Sequence, residues 1–390
     1  MDFLHSQDDR DRPPPAACPD YFRWIHEDLW PWKETGITRD AVESGRKTAH
    51  FRLVIVEGRA YVETYRRAVH KRDFYTLWGI LQLLRRYPGK IPDLDLMFNW
   101  ADTPVVKSVD YSEPNATAPP PLFRYCGDDA TLEIVFPDWT FWGWPETNIK
   151  PWEEFLEDLK EGEKRWMDKE AYAYWRGNPT LAPTRRDLAK CNVSHKHDWG
   201  VRLYKQDWNK EKQEGFKQSN LASQCMHRYK IYIEGVGWSM YIDLQLGKKV
   251  LISFTCSLPL ENEILVPSLQ AQEIGKAGSD FTQEDLKMDY VYDYMFHLLS
   301  EYAKLMRYKP TIPGRAIEIC SETLACPAIE IQKKFMMESM VKGPTDVSPC
   351  NMPPPYDALA LRTLLKRKAN SISQVELWEK RYWENQTKHN

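Results

Sequence analysis

The chain has 390 residues, with 53 Lys and Arg against 56 Asp and Glu, a formal net charge of −3. That length accommodates two α/β domains with sizeable cores, and the balanced charge excludes a nucleic-acid field or a polybasic membrane patch. Aromatic residues reach 13%, including 16 Trp and 20 Tyr, a richness that suits packed cores and also flat sugar or nucleotide sites.

The eight cysteines are widely spaced and none forms a CxxC pair, which argues against structural zinc. Their even number suits disulfides in an oxidising compartment, and N-glycosylation triplets at Asn115, Asn192 and Asn385 lean the same way. The polar, acidic start carries no signal peptide, and the apolar run at 250–260 is too short to span a bilayer. Read literally, the chain is cytosolic. Read against its cysteines and triplets, it is a luminal domain whose targeting segment is absent from this sequence.

Residues 1–17 are charged and Pro-rich, a disordered composition. An entry helix follows from Cys18. Residues 51–65 predict a hairpin around Glu57-Gly58. Asp73 is placed to cap an amphipathic helix with Phe74, Leu77, Leu81 and Leu84 on one stripe, ended by Pro88-Gly89. In IPDLDLMFNWADTP (91–104), Leu94, Leu96 and Phe98 alternate as in a half-buried strand, and Pro104 stops the ladder. Asp102 is thereby delivered just past the carboxyl end of a strand, where open α/β sheets place their ligands. A loop-capping aspartate before Thr-Pro would look the same.

Residues 132–136 read as another strand, running into PDWTFWGWP (137–145). With Trp139, Phe141, Trp142 and Trp144 between prolines, this block is either a packed corner or a ligand-facing wall. Pro151 starts a helix over 152–160. A second unit opens with a strand at 171–175, then Arg176-Gly177 and a short helix carrying Arg185 and Arg186. That arrangement suits a pyrophosphate, although a solvated arginine pair reads alike. A strand at 229–233 ends in Glu234-Gly235-Val236-Gly237-Trp238-Ser239, positioned to close over the same ligand. Residues 240–269 show no clean helical stripe, with a short strand at 250–254. Helices return at 270–274 and 289–307, and beyond Pro310 the chain reads as loop-rich, with Cys320, Cys326 and Cys350 as candidate staples. A final amphipathic helix, 373–384, offers Val375, Trp378 and Tyr382 for docking.

His195 and His197 lack a companion ligand set, so no metal site is expected. Asp93 and Asp95 leave a strand by one face and read as its polar side. Walker, dinucleotide and Gly-x-Ser-x-Gly fingerprints are absent, which argues against NTPases and the corresponding hydrolases.

Several of these segments, namely CPDYFRWI (18–25), HFRLVIV (50–56), 73–88, 91–104, FPDWTFWGWP (136–145), YWRG (174–177), 229–235 and 288–304, resemble the Rumi-type protein O-glucosyltransferases of glycosyltransferase family 90, the plant members most of all. The resemblance covers roughly 18–239 and 270–383. It implies an α/β, GT-B-like fold of two Rossmann-like domains facing across a cleft. The acceptor-side domain would span 18–170 and the donor-side domain 171–308, with a loop-rich segment and docking helix at 309–390. It further implies metal-independent, inverting transfer of glucose or xylose from UDP-glucose or UDP-xylose to a protein or glycan hydroxyl, with no cofactor beyond that co-substrate. By the same resemblance Asp102 is the general base, the donor side comprises Arg176, Gly177, Arg185, Gly235 and Ser239, and the aromatic block Trp139, Phe141, Trp142 and Trp144 is the acceptor-side wall. The compartment implied is the lumen of the endoplasmic reticulum or Golgi, with membrane attachment only through an anchor absent from this sequence.

Residues 240–269 depart from the family and are shorter than its donor-binding segment. The family's partner for Cys225 falls there, with Cys256 as a substitute. The alternative expectation is therefore an inactive or truncated member that binds acceptor only.

Overall fold

The hairpin written into residues 51–64 becomes the middle of the larger sheet. The computed structural model describes residues 16–68, 70–113, 117–161, 165–217, 221–231, 233 and 276–388. In it β1 (Phe51–Val56) and β2 (Arg59–Thr64) pair antiparallel, with Val56 opposite Arg59. The turn residues Glu57 and Gly58 both take positive φ, 51° and 73°, the backbone that a two-residue hairpin turn with the strands' own twist requires.

Strand β3 (Leu94–Phe98) pairs antiparallel with β1, and β4 (Leu122–Arg124) and β5 (Ile134–Val135) extend the sheet in parallel. The expected alternation on β3 is not what the fold uses. All five of its residues are buried, because β3 is flanked by β4 and β1 and covered on both faces. Asp95, expected on a polar face, is fully buried against Arg52. Asp93 precedes the strand and accepts the Glu57 backbone N–H at 2.8 Å.

The entry helix appears as a 3-10 turn, Asp20–Arg23, followed by α1 (Trp24–Asp28), and α2 (Arg39–Ser44) precedes the hairpin. Helix α3 (Arg72–Arg86) is buried at every position from 75 to 83 rather than on a single stripe. Its cap position is Lys71, without a side-chain cap, and Asp73 instead sits in the first turn, where its charge suits the helix dipole. Helix α4 (Trp152–Glu161) buries Trp152, Phe155 and Leu156.

The second sheet is wholly parallel: β6 (Glu170–Gly177) lies between β7 (Val201–Lys205) and β8 (His227–Lys230). Helices α5 (Pro183–Ala189) and α6 (Trp208–Gln213) accompany it, and Trp175, Leu188, Val201 and Leu203 form part of its separate small core. Nothing in the sequence reading anticipated β7 or α6.

Helix α7 (Met288–Leu305), grouped with the second unit on sequence, packs in the larger core through Met295, Leu298, Leu299 and Tyr302. The segment read as loop-rich is also more regular than expected. It contributes β9 (Ile317–Ile319) to the outer edge of the first sheet beside β2, followed by α8 (Ser321–Ala325), α9 (Glu330–Glu338) and the long α10 (Ala358–Lys388). Among the expected staples, Cys350 bonds Cys18 across 332 residues, whereas Cys320 and Cys326 are free and exposed. Cys225 is likewise free and receives a hydrogen bond from Lys230 Nζ at 3.2 Å. The strand at 250–254, the helix at 270–274, the substitute Cys256, Gly235, Ser239 and the docking side chains Val375, Trp378 and Tyr382 lie outside the described residues. No described helix is long and apolar enough to cross a membrane.

Candidate active site

Past the end of β3 the chain turns, and residues 99–102 have their backbone polar groups tied down one after another. Asn99 does most of this. Its Oδ1 accepts the Ala101 N–H at 2.8 Å, an Asx turn, and its Nδ2 donates to Thr48 O at 2.7 Å. The Trp100 N–H donates to His50 Nδ1 at 3.4 Å, with the His50 ring centre 3.9 Å from that of Trp100. From β4, the buried Arg124 reaches over to donate to Asn99 Oδ1 at 3.0 Å and to Ala101 O at 2.5 Å. The result is a loop whose path is fixed from three sides before any ligand arrives.

That loop delivers Asp102, whose side chain is 53% exposed. Arg72, at the first position of α3, donates from Nη1 to Asp102 Oδ1 at 2.5 Å and to Trp100 O at 2.9 Å. Its guanidinium lies over the Trp139 ring, 4.6 Å from the centre. One carboxylate oxygen is therefore engaged by a cation held on an aromatic face.

Two neighbouring groups have displaced protonation equilibria. Burial, with help from Arg66 and Arg124, lowers His50 to about 4 and keeps the imidazole neutral as an acceptor. Burial raises Asp138 to about 6, against hydrogen bonds from Thr140 and the charge of Arg72, while Asp102 adds to the rise. Asp138 Oδ1 accepts from the Thr140 N–H at 2.8 Å and hydroxyl at 2.6 Å, capping the 3-10 turn Trp139–Trp142.

The aromatic block, left open between a corner and a wall, is a packed corner in this structure. Trp139, Phe141, Trp142 and Trp144 are 1%, 3%, 0% and 7% exposed. Trp142 Nε1 donates to Tyr292 OH at 3.0 Å, which pins the corner to α7. A wall for a ligand needs an open ring face, and these faces are covered. Trp144 approaches the second unit, its ring centre 6.4 Å from that of Trp208 on α6.

The described residues expected on the donor side, Arg176, Gly177 and Arg185, fall in the second unit. Arg176 is the next-to-last residue of β6, donating from Nε to Tyr174 OH at 3.1 Å and pairing with the buried Glu211 at 3.4 Å. Arg185 is buried on α5 and donates to Ile233 O at 3.0 Å. A side chain at Gly177 would meet the Trp175 indole at 2.6 Å, so glycine there permits the strand's own tryptophan to fold back. Both arginines brace the unit in this structure. His195 and His197 are exposed. Among the described residues the only cluster with metal-ligand chemistry is Cys18, His297 and Cys350, and its two cysteines are already bonded to each other.

The sequence reading reached Asp102 and missed Arg72, Arg124, His50 and Asn99. Only Asn99 had a local signal, an Asx residue two positions before the turn's end.

The sequence model of Glycosyl transferase family 90 matches residues 14–247 and 267–379. Human protein O-glucosyltransferase 1 is 27% identical over 335 residues, covering 75% of this chain and 82% of that protein. The Drosophila melanogaster O-glucosyltransferase rumi is 24% identical over 350 residues, 76% and 80% of the two chains. The rumi homologue of Anopheles gambiae is 22% identical over 341 residues, 76% and 81%. These relatives are animal proteins and do not bear on the expected nearness to plant members.

Proposed function

The chain belongs to glycosyl transferase family 90, and from that premise we propose that it transfers a sugar, glucose or xylose, from a UDP-sugar to a hydroxyl of a protein or of a glycan on it. The observation that carries this reading is Asp102: a half-exposed carboxylate at the carboxyl end of β3, on a loop tied at every residue, with one oxygen engaged. In the transfer the acceptor oxygen bonds to the sugar's C1 and the bond from C1 to the diphosphate breaks. The bonding electrons leave on UDP, and the hydroxyl proton passes to Asp102, which later gives it to water. Attack opposite the leaving group inverts C1. Arg176 and Arg185, re-aimed from their present partners, supply positive charge for the departing diphosphate, and no metal is assigned. The relatives named above as protein O-glucosyltransferases support a protein acceptor, and the two separate sheets and cores support a GT-B-like reading in two units, with the helix 288–305 belonging to the core of the first. The lumen of the secretory pathway is the compartment that suits a buried disulfide and this acceptor.

A second reading has an observation of its own. The family match breaks between 247 and 267, inside the stretch whose sequence departs from the family's donor segment. On that reading the chain binds acceptor and has lost its donor.

Two measurements separate them. UDP release with UDP-glucose and UDP-xylose, in the presence of an acceptor domain, should fall to a small residual rate in Asp102→Asn while UDP affinity by calorimetry stays within about twofold. Folded protein that binds no UDP would establish the second reading instead.

A further inference from the structure

Arg72 is committed in three directions at once. It donates to Asp102 and to the Trp100 carbonyl, and its planar face rests on Trp139. Its side chain is 12% exposed, against 53% for Asp102. Asp138, whose carboxyl feels the charge of Arg72, is 2% exposed, and its Oδ2 has no hydrogen-bond partner among the described residues. The residues that lead into Arg72, His70 and Lys71, both take left-handed backbone, with φ of 58° and 51°. Side chains other than glycine adopt that conformation at a cost, and the surroundings hold it. The His70 ring stands edge-on to Trp144 at 5.4 Å and Lys71 Nζ donates to Gln332 on α9. These two residues turn the chain so that α3 starts at Arg72 with its side chain under the 99–102 loop.

We propose that Arg72 is the positioning residue for the base, a guanidinium held between the exposed carboxylate of Asp102 and the ring face of Trp139. This rests on the reading of Asp102 given above. An aspartate on a loop has two free torsions. Holding Oδ1 on a cation that is itself clamped removes both and turns Oδ2 outward to the acceptor hydroxyl. Arg72 touches neither sugar nor acceptor oxygen in this scheme and acts through Asp102 alone. The Trp139 ring, 4.6 Å from the guanidinium, closes its other face. A misplacement of about 1 Å in such a group costs roughly 100-fold in rate.

The test compares Arg72→Gln, Arg72→Lys, Asp102→Asn and the Arg72→Gln/Asp102→Asn pair, each checked for folding by circular dichroism. Arg72→Gln is expected to lower kcat roughly 10- to 100-fold while the KM for the UDP-sugar stays within about twofold. Arg72→Lys should recover part of the loss, since an ammonium keeps the charge and the donors but lacks the planar face that rests on Trp139. In the Asp102→Asn background the Gln change should cost almost nothing further, because two residues acting as one unit are not additive. Wild-type kcat in Arg72→Gln, with Asp102→Asn at a small residual rate, would overturn this inference and leave the base assignment standing. A full additive loss in the pair would overturn it too. Wild-type turnover in Asp102→Asn would remove the base assignment, and this inference with it. Should the Gln variant not fold, Arg72→Lys decides: wild-type kcat would overturn the inference, and a fall in kcat alone would support it.

Discussion

Arg52 and Asp95 meet side by side on β1 and β3 in a two-pronged ion pair, both bonds 2.6 Å, with side chains 7% and 1% exposed. The pair lies beneath a polar cavity of about 480 Å³ and is buttressed by Glu43 at 2.6 Å from Arg52 and by Tyr308 OH at 2.8 Å from Asp95. Such a pair adds little against a hydrophobic replacement, but removing one member strands the other charge. Arg52→Ala should therefore destabilise the fold by about 3–5 kcal/mol, read as a lower urea midpoint. A loss under about 1 kcal/mol would show that solvent reaches Asp95.

Gly79 sits in the middle of α3, where alanine would normally stabilise by about 1 kcal/mol. Here an added Cβ would meet the Trp142 ring at 2.5 Å. That ring is fully buried and hydrogen-bonded to Tyr292, so it has nowhere to yield. The sign should reverse: Gly79→Ala is expected to destabilise by about 1–3 kcal/mol and to lower the thermal midpoint, and a raised midpoint would refute the close packing.

Asp138 and His50 should tilt the stability curve in opposite directions. The Asp138 carboxyl rises from 3.8 to about 6, chiefly through burial. Its contribution is fully present below pH 4 and is lost as pH climbs through 6, on the order of 3 kcal/mol. His50 falls from 6.5 to about 4, so its contribution is present above 6.5 and is lost on acidification toward 4. Urea titrations between pH 4 and 7 should show Asp138→Asn relatively more stable at the upper end, since the amide oxygen still accepts from Thr140. His50→Phe, which keeps the stack on Trp100, should lose less stability than wild type on acidification. Parallel curves for all three proteins would contradict both assignments.

The Cys18–Cys350 disulfide ties the entry turn to the chain beyond α9, and both cysteines are buried. Cys350→Ser should cost about 2–5 kcal/mol. Wild-type protein should show at least as large a fall in thermal midpoint under a reductant strong enough to open a buried bond, since Cys191 is disulfide-bonded as well. No difference between reduced and oxidised protein would mean that the packing around Phe22 suffices.

Asn192 heads a glycosylation triplet, yet its side chain bridges the β7 backbone, Nδ2 donating to Leu203 O at 3.1 Å and Oδ1 accepting from Leu203 N at 3.0 Å. A glycan on Nδ2 would occupy that donor. Mass spectrometry of secreted protein should find Asn192 unmodified, and Asn192→Ala should destabilise by about 1–3 kcal/mol by leaving Leu203 groups unpaired. Full occupancy in folded material would exclude the bridge.

What the sequence by itself determined is local. The Glu57-Gly58 turn, the strand that ends before Asp102, the helix ended by Pro88-Gly89 and the strand carrying Arg176 all rest on neighbours within a few residues, and periodicity and turn chemistry record such relationships. The family motifs are likewise contiguous strings. Tertiary structure alone decided which faces close. It buried Asp95 by supplying Arg52 from 43 positions away, drew α7 into the larger core, and made the tryptophan block a corner against α7. It also built the site: Asp102 meets Arg72 across 30 positions, and the loop beneath is held by Arg124 from β4 and by His50 from just before β1. Contacts of that kind follow from how elements stack, and a stacking arrangement leaves no spacing in the chain for a reader to find.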